Sequence, residues 1–122
     1  NESITKWLED AISTENKELG EINYIFCDDQ YLLKKNQEYL QHETFTDIIT
    51  FDYTEKNRLS GDIFISIERV KENAITFAVP FETELRRVII HGVLHLIGYK
   101  DKSEEDTETM RSKENFYLSK KA

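Results

Sequence analysis

Apolar positions recur near the start of the chain as Ile4, Trp7, Leu8, Ala11 and Ile12, the three- and four-residue spacing of one helical face. Ser3 stands where an N-cap belongs. Past a stop at Gly20, Ile22 to Cys27 are rich in β-branched and aromatic residues and read as a strand. Asp28 or Asp29 can cap a second helix, "DQYLLKKNQEYL", whose Tyr31, Leu32, Leu33, Tyr39 and Leu40 turn inward. "TDIITFDY" and "GDIFISI" read as two further strands. The polar turn "TEKNRLS" between them predicts an antiparallel hairpin.

"ERVKENAITFA" predicts a short helix, and Pro80 marks the break before a longer one over Glu82 to about Ile97. Ser103, with Asp106 three residues on, opens a last helix that carries Met110, Phe116, Tyr117 and Leu118. Locally paired strands with helices before and after them make the class α+β. With no repeat and no Pro/Gly-rich linker in 122 residues, one domain over 1–122 is the simplest organisation. The first residue is Asn1 rather than Met, which leaves open a trimmed start and a missing edge strand.

Composition narrows the class. Hydrophobic content of 39% beside 33% charged residues fits a soluble globular protein and excludes a disordered or fibrous one. No apolar run approaches the ~20 residues that cross a bilayer, so no membrane partner is expected. The single cysteine, Cys27, rules out an internal disulfide framework and suits a reducing cytoplasm. A net charge of −8 argues against a protein that coats nucleic acid, while leaving room for a local basic cleft or a metal. Much of the acid lies in "SEEDTE", a solvated helix start.

The chemistry concentrates in "HGVLHLIGYKD", which holds two of the three histidines. With His91 at zero on a helical wheel, His95 falls at about 40°, Glu84 at about 20° and Arg87 at about −40°. One helical turn separates the two imidazoles, so both can reach one ion. Gly98 can end the helix and turn the chain back, which brings Asp101 within reach as a third ligand. Spacing alone leaves a metal site and a pair of core histidines both open. It does exclude the HExxH peptidase pattern, because Gly92 stands where the general-base glutamate belongs.

Glu84 lies about 10 Å along the axis from His91 and reads as a partner for Arg87. Asp47 and Asp62 read as turn anchors, Thr46 and Thr50 as strand residues, His42 as a loop residue and Cys27 as a buried strand residue.

Seven residues of this stretch, His91, Gly92, Leu94, His95, Leu96, Gly98 and Tyr99, match the signature HGxLHLxGYDH of the YbeY family of bacterial rRNA-processing endoribonucleases. "TDIITF", "GDI" and the downstream "EED…M…E" extend the resemblance over roughly Ile22 to Glu114. The resemblance implies a small mixed sheet of about four strands packed with about five helices. It implies a metal held by His91, His95 and Asp101, with aspartate where the family has a third histidine. Zinc is the first choice, one ion per chain, and manganese or iron follow.

The implied reaction is hydrolysis of single-stranded RNA by metal-activated water, in rRNA maturation and ribosome quality control in the cytoplasm. Its partners would be rRNA and the ribosome or a ribosomal protein, not DNA. The family's arginine before the TD strand has Leu40 in its place here, and Arg87 and Arg58 are the candidates to supply the positive charge instead. That departure leaves a second reading open, a metal-binding ribosome-assembly factor with weak or lost nuclease activity. A metal-dependent hydrolase of another substrate is a third.

Overall fold

A computed structural model describes residues 2–39, 46–100 and 102–120. The elements run α1 (Glu2–Thr14), β1 (Glu18–Cys27), α2 (Asp29–Tyr39), β2 (Ile48–Asp52), β3 (Arg58–Ser66), α3 (Ile67–Thr76), α4 (Phe81–Ile97) and α5 (Glu104–Leu118). The α+β class holds, with five helices among the described residues. The described sheet has three strands in the order β1-β3-β2, fewer than the four expected. Strand β3 takes the centre: it pairs parallel with β1 and antiparallel with β2, so the expected hairpin is present.

Two boundaries differ from the sequence reading. Gly20 does not stop a segment, because β1 runs through it and pairs Glu18 and Leu19 with Arg58 and Leu59. An irregularity between Leu19 and Ile22 absorbs the change of register. Ser3 is no cap either, since α1 begins at Glu2 and places Ser3 inside its first turn. In α2 the cap is Asp28, whose Oδ1 accepts from the Tyr31 N–H at 2.8 Å. Tyr31 itself is exposed and stacks on Phe64, 6.3 Å between ring centroids, while Leu32 takes the fully buried position.

Alternation along β3 sends Leu59, Ile63 and Ile65 to one face, where they are wholly buried. Helix α4 crosses that face and contributes Val88, Ile89, Ile90, Val93, Leu94 and Leu96 to the same core. Gly92 marks a close approach of the helix to the sheet. A Cβ there would stand 2.8 Å from Ile48 Cδ1 and 3.1 Å from Ile63 Cγ2, so the position that lacks the peptidase glutamate is the one where helix and sheet touch.

Helices α1 and α5 complete the core with Trp7, Leu8, Ala11, Ile12, Met110 and Tyr117. The Trp7 Nε1–H donates to the Tyr117 carbonyl at 2.7 Å and pins α5 to α1. Ser103 and Asp106 form the expected capping box at the start of α5. Met110 and Tyr117 are buried as expected, whereas Phe116 is exposed on the other face. No described helix is long and apolar enough to cross a membrane.

Candidate metal centre

Helix α4 starts after Pro80, whose fixed φ of −61° and ψ of 148° set the entry of the chain. Its core stripe then fixes the rotation of the helix, and His91 and His95 come out on one side toward α5. The two Nε2 atoms lie 3.0 Å apart, with ring centroids separated by 4.6 Å and the planes at 78°.

Each ring is oriented through its other nitrogen. His91 Nδ1 lies 2.7 Å from Glu114 Oε2, and His95 Nδ1 lies 3.1 Å from the Tyr99 carbonyl oxygen. Ionised carboxylates and carbonyls only accept, so in neutral rings the Nδ1 atoms carry the protons and both Nε2 lone pairs turn toward one point. Two lone pairs at that separation repel unless a proton or a cation lies between them. Hydrogen-bonded imidazoles sharing a focus are the arrangement metal-binding histidines adopt, so this donor pair fits a divalent ion.

The Tyr99 carbonyl arrives there because of Gly98. At φ 125° and ψ 0°, Gly98 ends α4, and the Gly98 and Tyr99 N–H groups both donate to the Leu94 carbonyl, at 3.1 and 3.0 Å. Any other residue would be strained at that φ. The chain therefore folds back under His95 as the sequence suggested. Asp101, the expected third ligand, lies outside the described residues, as do His42 and Leu40. Among the described residues no group of three or more ligating side chains gathers at one point.

Behind this turn, the Tyr99 hydroxyl donates to Glu15 Oε1 at 2.6 Å, and Tyr117 and Lys113 donate to Oε2 of the same carboxylate. Burial alone would raise the Glu15 pKa, but these three donors outweigh it and hold the carboxyl below its ordinary value. The same contact, added to burial, pushes the Tyr117 phenol well above the usual range and keeps it protonated.

Glu114 was not singled out as a functional residue from sequence. It is a buried carboxylate on α5 that bonds His91 and accepts from Arg87 Nη1 at 3.1 Å. Burial opposes its ionisation, yet His91, Arg87 and Arg111 together hold its pKa below the ordinary value. A signal existed: Glu114 stands four residues after Met110 and three before Tyr117, on the buried stripe of α5. Arg87 is bound into this cluster, with Asn115 Oδ1 at 3.1 Å and Glu84 Oε1 at 3.9 Å. The expected Glu84–Arg87 partnership is present.

His91, Glu84, Arg87 and Glu114 line one cavity of about 250 Å³, closed by α3, α5 and the start of β2. Asp47 is on its wall, and burial raises the pKa of its carboxyl although His91 opposes the shift. Its carbonyl accepts from the Ser66 N–H at 3.0 Å and its Oδ2 from Asn73 Nδ2 at 3.2 Å, which ties it to the end of β3 and to α3 and not to a turn.

Asp62 is elsewhere: it accepts from Asn23 Nδ2 at 3.1 Å and the Tyr53 hydroxyl at 3.3 Å across the strands. Arg58 opens β3, seven positions from Ile65, which pairs with Ile48 beside the cavity. That puts Arg58 about 20 Å away along the strand. Thr46 bonds the Ile48 carbonyl, Thr50 pairs with Ile63 in the ladder, and Cys27 is half-buried.

A three-stranded α+β framework that pairs two imidazoles on one helix, with a buried glutamate behind the first and a cavity beside it, has the organisation of a small hydrolase. The family model for endoribonuclease YbeY matches residues 1–122. The endoribonuclease YbeY of Flavobacterium johnsoniae is 61% identical over 114 residues, 93% of this chain and 82% of that one. That of Bacteroides fragilis is 54% identical over 111 residues, 91% and 80% of the two chains. The solution structure of TM1509 from Thermotoga maritima superposes with a TM-score of 0.69 at 30% identity, covering 97% of this chain and 78% of its own. The chain belongs to the endoribonuclease YbeY family, hydrolases that act on RNA.

Proposed function

We propose that this chain cleaves single-stranded RNA during rRNA maturation with one divalent metal ion, zinc in the first instance, held by His91, His95 and Asp101. The observation that carries the reading is the pair of Nε2 atoms 3.0 Å apart, each on a ring whose Nδ1 has an acceptor beside it. Asp101 enters from its place three residues after Gly98, the turn that folds the chain back. A bound divalent ion supplies Lewis-acid charge to a phosphoryl oxygen and a water of lowered pKa.

The protein's own residues supply the rest. Glu114 and the Tyr99 carbonyl orient the two imidazoles, and buried carboxylates make the site attractive to cations. Arg87, tied to Glu114, is first a positioning residue for His91, and it also brings a positive charge to the cavity wall. The ribosome as partner and the cytoplasm as location belong to the same reading. The test is cleavage of a single-stranded RNA by the wild type and by His95→Ala purified identically. Cleavage lost in the variant supports the assignment, and equal cleavage by both removes it.

A further inference from the structure

Phe77 has no role in the chemistry above, yet its side chain lines the same cavity as His91. It caps the C-terminal end of α3, and its N–H donates to the Asn73 carbonyl at 2.9 Å. Ala78 follows at φ 55°, and the Val79 N–H closes back on the Ala74 carbonyl at 3.0 Å. This tight turn fixes the position of Phe77, which nonetheless stays 56% exposed. Leaving a phenylalanine open to water forgoes stabilisation that a folding role would use.

Phe77 carries the only phenyl ring among the described residues that line this cavity, and the guanidinium groups of Arg87 and Arg111 stand on the α4 and α5 walls. Arg111 is the more open of the two, with its side chain 56% exposed against 22% for Arg87.

A π face and two cations share this cavity with His91 and the Asp47, Glu84 and Glu114 carboxylates, and the ring and the cations match the base and the phosphate of a nucleotide. Bases stack on aromatic rings with little regard to sequence, and phosphates are met by arginine. We propose that Phe77 is the stacking platform for a base of the substrate RNA next to the scissile phosphate, with Arg111 as the cation that receives the backbone beside it. This rests on the reading of His91 and His95 as the reacting centre. Ile75 and Phe81 are exposed nearby in the chain, but neither lines the cavity, so the nucleotide and not a protein partner is the occupant the placement favours.

The test uses the full chain and two probes: a cleavable single-stranded RNA, and a 2′-O-methyl oligonucleotide carrying 2-aminopurine, whose emission falls on stacking. Phe77→Ala is expected to raise both the oligonucleotide Kd and the KM by about 5- to 150-fold with kcat changed by less than about two-fold. Phe77→Trp should retain binding and the emission change. Arg111→Ala should weaken binding and lower its salt slope by about one.

Unchanged Kd and KM in Phe77→Ala would overturn the proposal and assign the exposed ring to a protein contact. If emission depends on Phe77 while wild type and His95→Ala cleave equally, the stacking site stands and the histidine reading falls.

Discussion

Glu114 Oε2 lies 2.7 Å from His91 Nδ1 although 23 positions of chain separate the two residues. The bond joins α5 to α4 at the point where the histidine presents its other nitrogen to His95. A ring held this way keeps one tautomer and one orientation, and partners of this kind govern metal affinity nearly as strongly as the ligands do. Glu114→Gln should therefore weaken zinc binding by about 10- to 100-fold with both histidines intact. Competition against a chromophoric chelator reads this directly, and an unchanged affinity would mean that the bond serves only to dock the helices.

Gly98 positions the second ring from the backbone. A Cβ there meets nothing within 4 Å, so Gly98→Ala is a conformational change without a clash. Holding a side-chain-bearing residue at that φ should cost about 1–3 kcal/mol, read from the urea midpoint. Metal affinity should fall with it, because the Tyr99 carbonyl moves with the turn.

Gly92 gives the converse case. Its φ is helical, and the obstacle is the sheet beneath it. Gly92→Ala should destabilise by about 1–3 kcal/mol through overpacking against Ile48 and Ile63. Ile48→Val in the same chain removes the nearest methyl and should recover part of the loss, and equilibrium denaturation of the single and double variants measures both.

Glu15 sets a pH dependence behind the site. Its folded pKa is below the ordinary 4.5 because the Tyr117, Tyr99 and Lys113 donors outweigh the opposing effect of burial. A depressed carboxyl pKa contributes stability that is fully present above the unfolded value and is lost as pH falls through the folded one. Thermal melts should thus show an acid limb beginning near pH 4.5, and Glu15→Gln should flatten that limb while lowering stability at pH 7. An identical acid limb in wild type and variant would show that the cluster contributes nothing to it.

The parts of this architecture that follow local rules were legible in the chain. The helical stripe of Ile4 to Ile12, the hairpin around "TEKNRLS", the capping box at Ser103 and the shared face of His91 and His95 all rest on short-range periodicity or capping chemistry. What escaped was set by tertiary contact. Strand β1 runs through Gly20 because β3 is there to pair with, and Tyr31 is exposed because Leu32 takes the buried position on α2. Glu114 and Glu15 draw their roles from partners more than twenty residues away. Only the presence of Glu114 on a buried stripe hinted at it, and for Glu15 the sequence carried no comparable signal.

Everything proposed for the site depends on the two imidazoles of α4 holding a divalent ion. Elemental analysis of protein purified without added metal, run beside His91→Ala and His95→Ala of matching circular dichroism, tests it most directly. The expected result is about one zinc per chain in the wild type and almost none in either variant. Full metal content retained by either folded variant would contradict it.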